Sequence, residues 1–377
     1  MKILLVGEYS NLHNSLKQGL QALGYEVILL GTGDAFKQFP VDIDVSGRYF
    51  KRFKLLNYLR QIIFRLTKFD IALLETAIRT RWYLHKTTHF DVIQLINEYP
   101  LQTPLFTEKR IIKKLNKLTE KLIILGCGDD FVFMNNLDKL PYHPSIKLKG
   151  KIKFPYSEVF LTQRFKKYHE FIFSLKNLII TTDLDYHTVY KGSDNYFGLI
   201  PNPVNIDRLN CIENDFSYKI VIFHGINRTN YHKKGNAFFE EALKKIEDKY
   251  LNKVEIITVE SLPYLQYIKQ YDRAHIVLDQ TYAIDQGYNA LEAMAKGKVV
   301  FTGAGEAFCT YYNLVPDSVA IHTIPDAEQI FENLERLIIN PTRIKVISDN
   351  ARSFIETHHN YKEVAHKYLD AWNSISK

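Results

Sequence analysis

The sequence predicts an α/β protein of two doubly wound domains, one after the other, and three observations carry that prediction. The chain opens strand–helix–strand. Lys2–Gly7 is a short apolar run, Ser15–Leu23 has apolar residues at helical spacing and stops at Gly24, and Glu26–Leu30 is apolar again. The same alternation restarts near residue 220. Between the halves lies Ile200-Pro201-Asn202-Pro203-Val204, whose two prolines can neither continue a helix nor sit in a central strand. The length of 377 residues suits two domains of roughly 150–200 residues each.

In the first half, Ile71–Leu74, Val92–Ile96, Leu122–Leu125 and Leu178–Thr181 read as later strands. Each is short and apolar, as expected when helices cover both faces of a parallel sheet. In the second half, Ile220–Phe223, Val254–Val259, Ile276–Leu278 and Val299–Thr302 read as strands. Asn236–Asp248, Tyr264–Tyr271 and Asn289–Lys296 read as the helices between them. Residues 342–377 are helical to the end, with Ala351–Ile355 and Val364–Trp372 as the periodic pieces. The expected domains are 1–198 and 199–359, with 360–377 crossing back onto the first.

Composition narrows the class. An apolar content of 46% supports a sizeable core and argues against disorder. Cys127, Cys211 and Cys309 are scattered, with no C-x-x-C pair, so neither a disulfide framework nor a zinc knuckle is expected. The opening apolar run is too short for a signal peptide, and no stretch approaches the ~18 apolar residues of a membrane span. The expectation is a reduced, cytoplasmic protein.

Charge is unevenly placed. Residues 1–200 hold 29 Lys+Arg against 19 Asp+Glu, and the remaining residues hold 20 against 23. The excess positive charge therefore belongs to the first half, which points to an anionic partner. Two basic stretches, Lys51–Lys68 and Lys109–Lys121, interleave cations with apolar residues. Basic amphipathic helices of this kind can lie on an anionic bilayer, or can simply face the core with a solvated side. No recognition motif for nucleic acid accompanies the charge, so nucleic acid is not the expected partner.

The most informative segment runs from Asp279 to Val300 and reads as strand end, glycine-containing loop, helix, glycine stop and strand. Gly287 lets backbone approach a ligand, and the amides at the start of the following helix, at Tyr288 and Asn289, favour an anion. Glu292, one turn in, can accept hydrogen bonds from vicinal hydroxyls such as a ribose diol. On pattern alone, a plain buried strand–helix–strand unit is nearly as good a reading. A second segment, Phe223 to Gly235, ends a strand in His224-Gly225 and carries Arg228 and Lys234 before a helix.

The run Gly287…Leu291-Glu292-Ala293-Met294-Ala295-x-Gly297-Lys298-Val299-Val300 resembles the donor-binding signature of the family 4 retaining glycosyltransferases (glycosyl transferases group 1), which have the GT-B fold. The resemblance implies that Glu292 binds the donor ribose and that Arg228 and Lys234 clamp the donor diphosphate without a metal or other cofactor. It also implies a nucleotide-sugar donor, a glycan or lipid-linked acceptor, retention at the anomeric carbon and closure about the Pro201–Pro203 linker. The family's first glutamate falls on Ile284, so Asp285 or Asp279 is the expected substitute. Residues 199–372 carry the resemblance, and the first half matches in layout only.

The first half should supply the acceptor side. Asp129 and Asp130 follow strand Leu122–Leu125 where the family often places a histidine, and are the candidate catalytic groups; a helix-capping role suits Asp129 as well. Asn97 and Glu98 after Val92–Ile96, and Asn11 and His13 after the first strand, are further cleft candidates. Asp183-x-Asp185 looks like a metal-binding pair but sits in the wrong context for one. The rivals are a sugar-nucleotide epimerase of the same fold, for which no acid/base pair is evident, and a binding protein that has lost turnover.

Overall fold

The computed structural model describes residues 1–34, 37–67, 69–143, 157–175, 177–216, 218–260 and 264–374. Seven strands form the first sheet: β1 (Lys2–Val6), β2 (Glu26–Gly31), β3 (Ile43–Asp44), β4 (Val92–Leu95), β5 (Leu122–Gly126), β6 (Asn177–Thr181) and β7 (Tyr196–Leu199). Their spatial order is β3-β2-β1-β4-β5-β6-β7 and every pairing is parallel. The second sheet holds β8 (Ile220–Ile226), β9 (Val254–Glu260), β10 (Ile276–Leu278), β11 (Val299–Thr302) and β12 (Ile321–His322). It is also parallel throughout, in the order β12-β11-β10-β8-β9.

The central strands are apolar on both faces because helices cover both. Ile3, Leu4, Leu5 and Val6 are all fully buried, and successive residues join different cores. In each sheet the strand order reverses beside the first strand, between β1 and β4 and between β8 and β10. The loops leaving those carboxyl ends part there and open a crevice.

The structure corrects one expected strand. Ile71–Leu74 leads into a helix, Ala72–His85. The Asp70 carboxylate accepts the Ala72 amide at 3.0 Å, which starts the helix, and Glu75 stands in its first turn. A four-residue apolar run does not distinguish strand from helix, and the acidic residue before it was the deciding signal. Strands β3, β7 and β12 were not anticipated; they are edge or near-edge strands of two to four residues. Of the two basic stretches, Lys109–Lys121 overlaps helix Leu105–Asn116, which buries Ile111, Ile112 and Leu115 in the core. Helix Lys54–Thr67 buries none of its residues.

The chain crosses between the domains twice, side by side. Val204 bridges Asn360 in parallel, the Val204 amide donates to the His359 carbonyl at 2.7 Å, and the Tyr361 amide donates back to Val204 at 3.1 Å. Helix Tyr361–Asn373 then packs on helix Leu12–Ala22 of the first domain. Gly19 makes that contact possible, since a Cβ there would sit 2.3 Å from the Tyr361 carbonyl oxygen. Trp372 is fully buried at the far end and donates to Gln94 Oε1 at 3.2 Å.

Candidate active site

A cavity of about 390 Å³ lies where the carboxyl ends of the two sheets face each other. The first domain lines it with Tyr9 and Ser10 after β1, Cys127 to Asp129 after β5, and Thr182, Asp183 and Asp185 after β6. The second lines it with Lys233 and Lys234 after β8, and with Gln280 and Asp285 to Tyr288 after β10. The parallel sheets explain this placement: in such a sheet every loop that can carry a site residue toward the crevice leaves from a carboxyl end.

One wall is cationic. Lys233 Nζ bonds both oxygens of Asp129, each at 2.6 Å, and Ser157 Oγ donates to the same carboxylate. Burial works to raise the Asp129 carboxyl, but the Lys233 ammonium outweighs it and holds the group below the usual carboxylate range. Burial, with Lys233 beside it, pushes the nearby His143 ring down to about 4, so it is neutral. Lys234 turns the other way and bonds Asp279 Oδ1 at 2.6 Å. Asp279 is held in turn by Asn289 Nδ2 at 3.1 Å and Thr302 Oγ1 at 3.4 Å. Gly235 ends this helical turn with φ +71°, and a Cβ there would meet Thr281 Oγ1 at 2.0 Å. Only glycine fits that position.

Another part of the wall is acidic. Burial pushes the Asp285 carboxyl up to about 7 and Asp185 up to about 6, and raises Asp183 as well, with Asp185 and Asp285 adding to the effect on Asp183. Among the described residues, no three His, Cys, Asp or Glu side chains converge as metal ligands would. Cys127 lines the cavity too, but burial pushes its thiol up and away from the thiolate.

Glu292 lies in helix Tyr288–Ala295, half-buried, with its carboxyl raised by burial to about 7 while Lys296 and Lys37 favour its charged form. Lys37 belongs to the other domain, so Glu292 faces across the crevice. Tyr288, at the start of the helix, bonds Ser15 and donates to the Pro203 carbonyl at 3.0 Å, seating the helix on the first domain and the linker.

The structure brings Asp129, Lys234, Asp285, Gly287 and Tyr288 into the cavity wall. It puts the other expected residues to different uses. Arg228 is exposed and forms a two-point ion pair with Glu260, at 2.6 and 2.7 Å, away from the cavity. Asn289 stands behind the wall, bracing Asp279. Asp130 is buried and caps helix Phe131–Asn135 through the Phe133 amide at 2.7 Å, while Tyr190 donates to its other oxygen. Asn97 braces the 127–129 loop by donating to the Cys127 carbonyl, and Glu98 accepts the Phe131 amide and contacts His169. His13 is fully buried between the Gly7 carbonyl and Gln94, and burial pushes its ring down to about 3. Asn11 has φ +72° ahead of helix Leu12–Ala22 and supports Tyr288.

Lys233, Asp183 and Asp185 are the residues that sequence reasoning passed over. Lys233 neighbours the lysine that the family resemblance points to, and a one-turn helix sends adjacent side chains in different directions. The aspartate pair was set aside for resembling a metal motif.

Residues 227–370 match the family model described as glycosyl transferase-like. The C-terminal domain is thus similar to that family. The solved sucrose-phosphate synthase of Thermosynechococcus elongatus superposes with a TM-score of 0.62 at 12% identity, covering 99% of this chain and 98% of that one. HepE of Anabaena, solved with UDP and glucose, superposes with a TM-score of 0.59 at 13% identity over the whole of both chains. A glycosyltransferase from Rickettsia africae superposes with a TM-score of 0.52 at 14% identity, covering 98% of this chain and 97% of that one. The two-domain architecture is thus the GT-B fold. No curated protein matches the sequence. Ile284, in the loop after β10, has a side chain that is 7% exposed and belongs to the core.

Proposed function

We propose that the chain transfers a sugar from a nucleoside diphosphate sugar, bound mainly on the C-terminal domain, to a glycan or lipid-linked acceptor held by the N-terminal domain. The observation that carries this reading is the placement of Lys233, Lys234 and Gly287 in one cavity wall at the domain crevice, with Glu292 one turn into the helix that follows Gly287 and influenced by Lys37 of the other domain. The ammonium groups suit a diphosphate, whose negative charge grows as the sugar departs. Glu292 suits a ribose diol. The reading includes retention of configuration, with the donor phosphate taking the acceptor proton, and Arg228 joining the clamp only by leaving Glu260. Surface-polysaccharide assembly is a fitting setting. HepE is described in complexes with UDP and with UDP-glucose, which makes UDP the first nucleotide to try.

The membrane side of the proposal rests on residues 48–68, which hold Arg48, Lys51, Arg52, Lys54, Arg60, Arg65 and Lys68 and no acidic residue. Phe53, Leu55, Tyr58 and Leu66 project from the same segment, and Leu66 is 79% exposed. The segment leaves the sheet after β3, on the cleft side, so an anionic lipid surface there would present a lipid-linked acceptor to the crevice. Among the described residues no helix is long and apolar enough to cross a membrane, and contact through this segment at the inner membrane face is the form proposed.

The test is thermal-shift binding of UDP, GDP, ADP and CMP to wild type, Glu292→Ala and Lys234→Ala, followed by vesicle cosedimentation. A shift with one nucleotide that both substitutions abolish supports the donor site. No shift with any of the four sinks it. Cosedimentation with phosphatidylglycerol vesicles, but not with phosphatidylcholine alone, should be lost in Leu55→Glu/Leu66→Glu. A second reading is favoured by the acidic wall: Asp183 and Asp285 are raised toward neutrality beside the cavity, as an acid/base pair would be. A Listeria monocytogenes protein described as a UDP-N-acetylglucosamine 2-epimerase superposes with a TM-score of 0.54 at 10% identity. Epimerised UDP-sugar formed without any acceptor would favour that reading.

A further inference from the structure

The loop between β10 and helix Tyr288–Ala295 is shaped by a residue of the other domain. Asp185, on helix Leu184–Tyr190 of the first domain, accepts the Ile284 amide with both carboxylate oxygens at 3.1 Å and the Asp285 amide at 3.2 Å. The exchange is reciprocal. Asp285 accepts the Leu184 amide at 3.2 Å through Oδ2 and the Gln286 amide at 2.7 Å through Oδ1. Each aspartate therefore holds backbone from the other's segment. Buried backbone amides need partners, and the loop has found two of its partners outside its own domain.

We infer that Asp185 is a positioning residue that sets the shape of the 283–287 loop across the domain boundary, so that this loop is formed only when the domains are closed. It rests on the transferase reading only in calling this loop part of the donor site. Ile284 points its side chain into the core and gives its amide to Asp185, so the loop is fixed from the other domain. Separating the domains strips the Ile284 and Asp285 amides of their acceptor and Asp285 of the Leu184 amide. Loop order and domain closure become one event. Gly303 tightens the arrangement from below, since a Cβ there would stand 2.5 Å from the Ala283 carbonyl oxygen.

The test is amide hydrogen exchange on the full chain for wild type, Asp185→Ala and Asp185→Asn, with UDP thermal shifts on the same samples. Asp185→Ala should raise exchange at Ile284 and Asp285 by about tenfold or more, an opening cost near 1.4 kcal/mol. Strands β8 and β10 should keep their protection. Asp185→Asn keeps one acceptor oxygen and should restore part of the protection, which also decides the matter if the alanine variant fails to fold. Unchanged exchange at Ile284 and Asp285 in either variant overturns the inference. So does an equal loss across β10 and helix Tyr288–Ala295, which would make Asp185 a fold residue. Failure of wild type to bind UDP would count against the transferase reading alone, because the exchange pattern reports the clasp without any nucleotide.

Discussion

Lys233 of the C-terminal domain holds both carboxylate oxygens of Asp129 of the N-terminal domain at 2.6 Å, while its neighbour Lys234 bonds Asp279 within its own domain. The two lysines therefore do different work. Lys234 is built into the C-terminal domain's wall of the cavity, and Lys233 ties that wall to the N-terminal domain.

The cross-domain pair should be measurable by a double-mutant cycle. The Lys233 side chain is 31% exposed and that of Asp129 13%, between a surface ion pair and a buried one. A coupling of roughly 1–2 kcal/mol is expected from thermal unfolding. Lys233→Ala alone should cost more than Lys233→Ala combined with Asp129→Asn costs relative to Asp129→Asn, because the single change leaves a buried carboxylate without its cation. Additive losses would mean the pair holds nothing.

Two glycines beside the cavity should respond oppositely. Gly235→Ala places a Cβ in a left-handed conformation and against Thr281, so it should destabilise by about 2 kcal/mol or more. Gly287 has φ −74° and a Cβ there would come no nearer than 3.7 Å to Gln280. Gly287→Ala should leave the melting temperature nearly unchanged and weaken nucleotide binding by narrowing the cavity. A nucleotide titration beside a melting curve separates the two effects.

What the sequence made legible follows the physics of each part. Central strands such as Lys2–Val6 and Leu122–Gly126 were readable because burial on both faces requires an unbroken apolar run. Helix Tyr288–Ala295 was readable because a tight strand–loop–helix turn constrains residue types. The pairing of Arg228 outside the cavity was not legible because a side chain's partner is a tertiary fact: Glu260 lies at the end of the neighbouring strand β9. His13, Asn97, Glu98 and Asp130 shared a locally plausible position after a strand. Whether such a residue faces the crevice or supports the loop behind it depends on residues such as Gln94, Cys127 and Tyr190, far away in sequence. Asp185 stood out in sequence only as half of a metal-like pair, and its cross-domain role was not legible because its partners are backbone amides.

The return helix should be indispensable to the first domain. Trp372 is fully buried, with its indole on Gln94 and its carbonyl accepting Lys121 Nζ at 2.7 Å. Trp372→Ala should cost about 3–5 kcal/mol and Trp372→Phe about 1 kcal/mol, read from thermal unfolding. Equal, small losses would show that the helix merely rests on the domain.

Glu8 predicts how stability changes with pH. The residue is 3% exposed; Oε2 accepts the Asn14 amide and Nδ2, each at 2.8 Å, while Oε1 has no partner among the described residues. Burial pushes the carboxyl from 4.5 up to about 8; the Asn14 backbone bond opposes that shift and Asp34 adds to it. A raised carboxyl means that the folded chain keeps a proton which the unfolded chain has released. Its stabilising contribution is full below the unfolded value and is lost as pH rises through the folded one. Between about pH 6 and pH 8 the loss from this group is roughly 2 kcal/mol. Glu108 and Glu292, each raised to about 7 by burial, act in the same direction, so wild type should melt progressively lower over this window. Glu8→Gln stays neutral at every pH and should remove the Glu8 share, so the variant's melting temperature should fall less steeply and gain on wild type toward pH 8. Parallel curves for the two proteins would show that Glu8 ionises as freely in the folded chain as in the unfolded one.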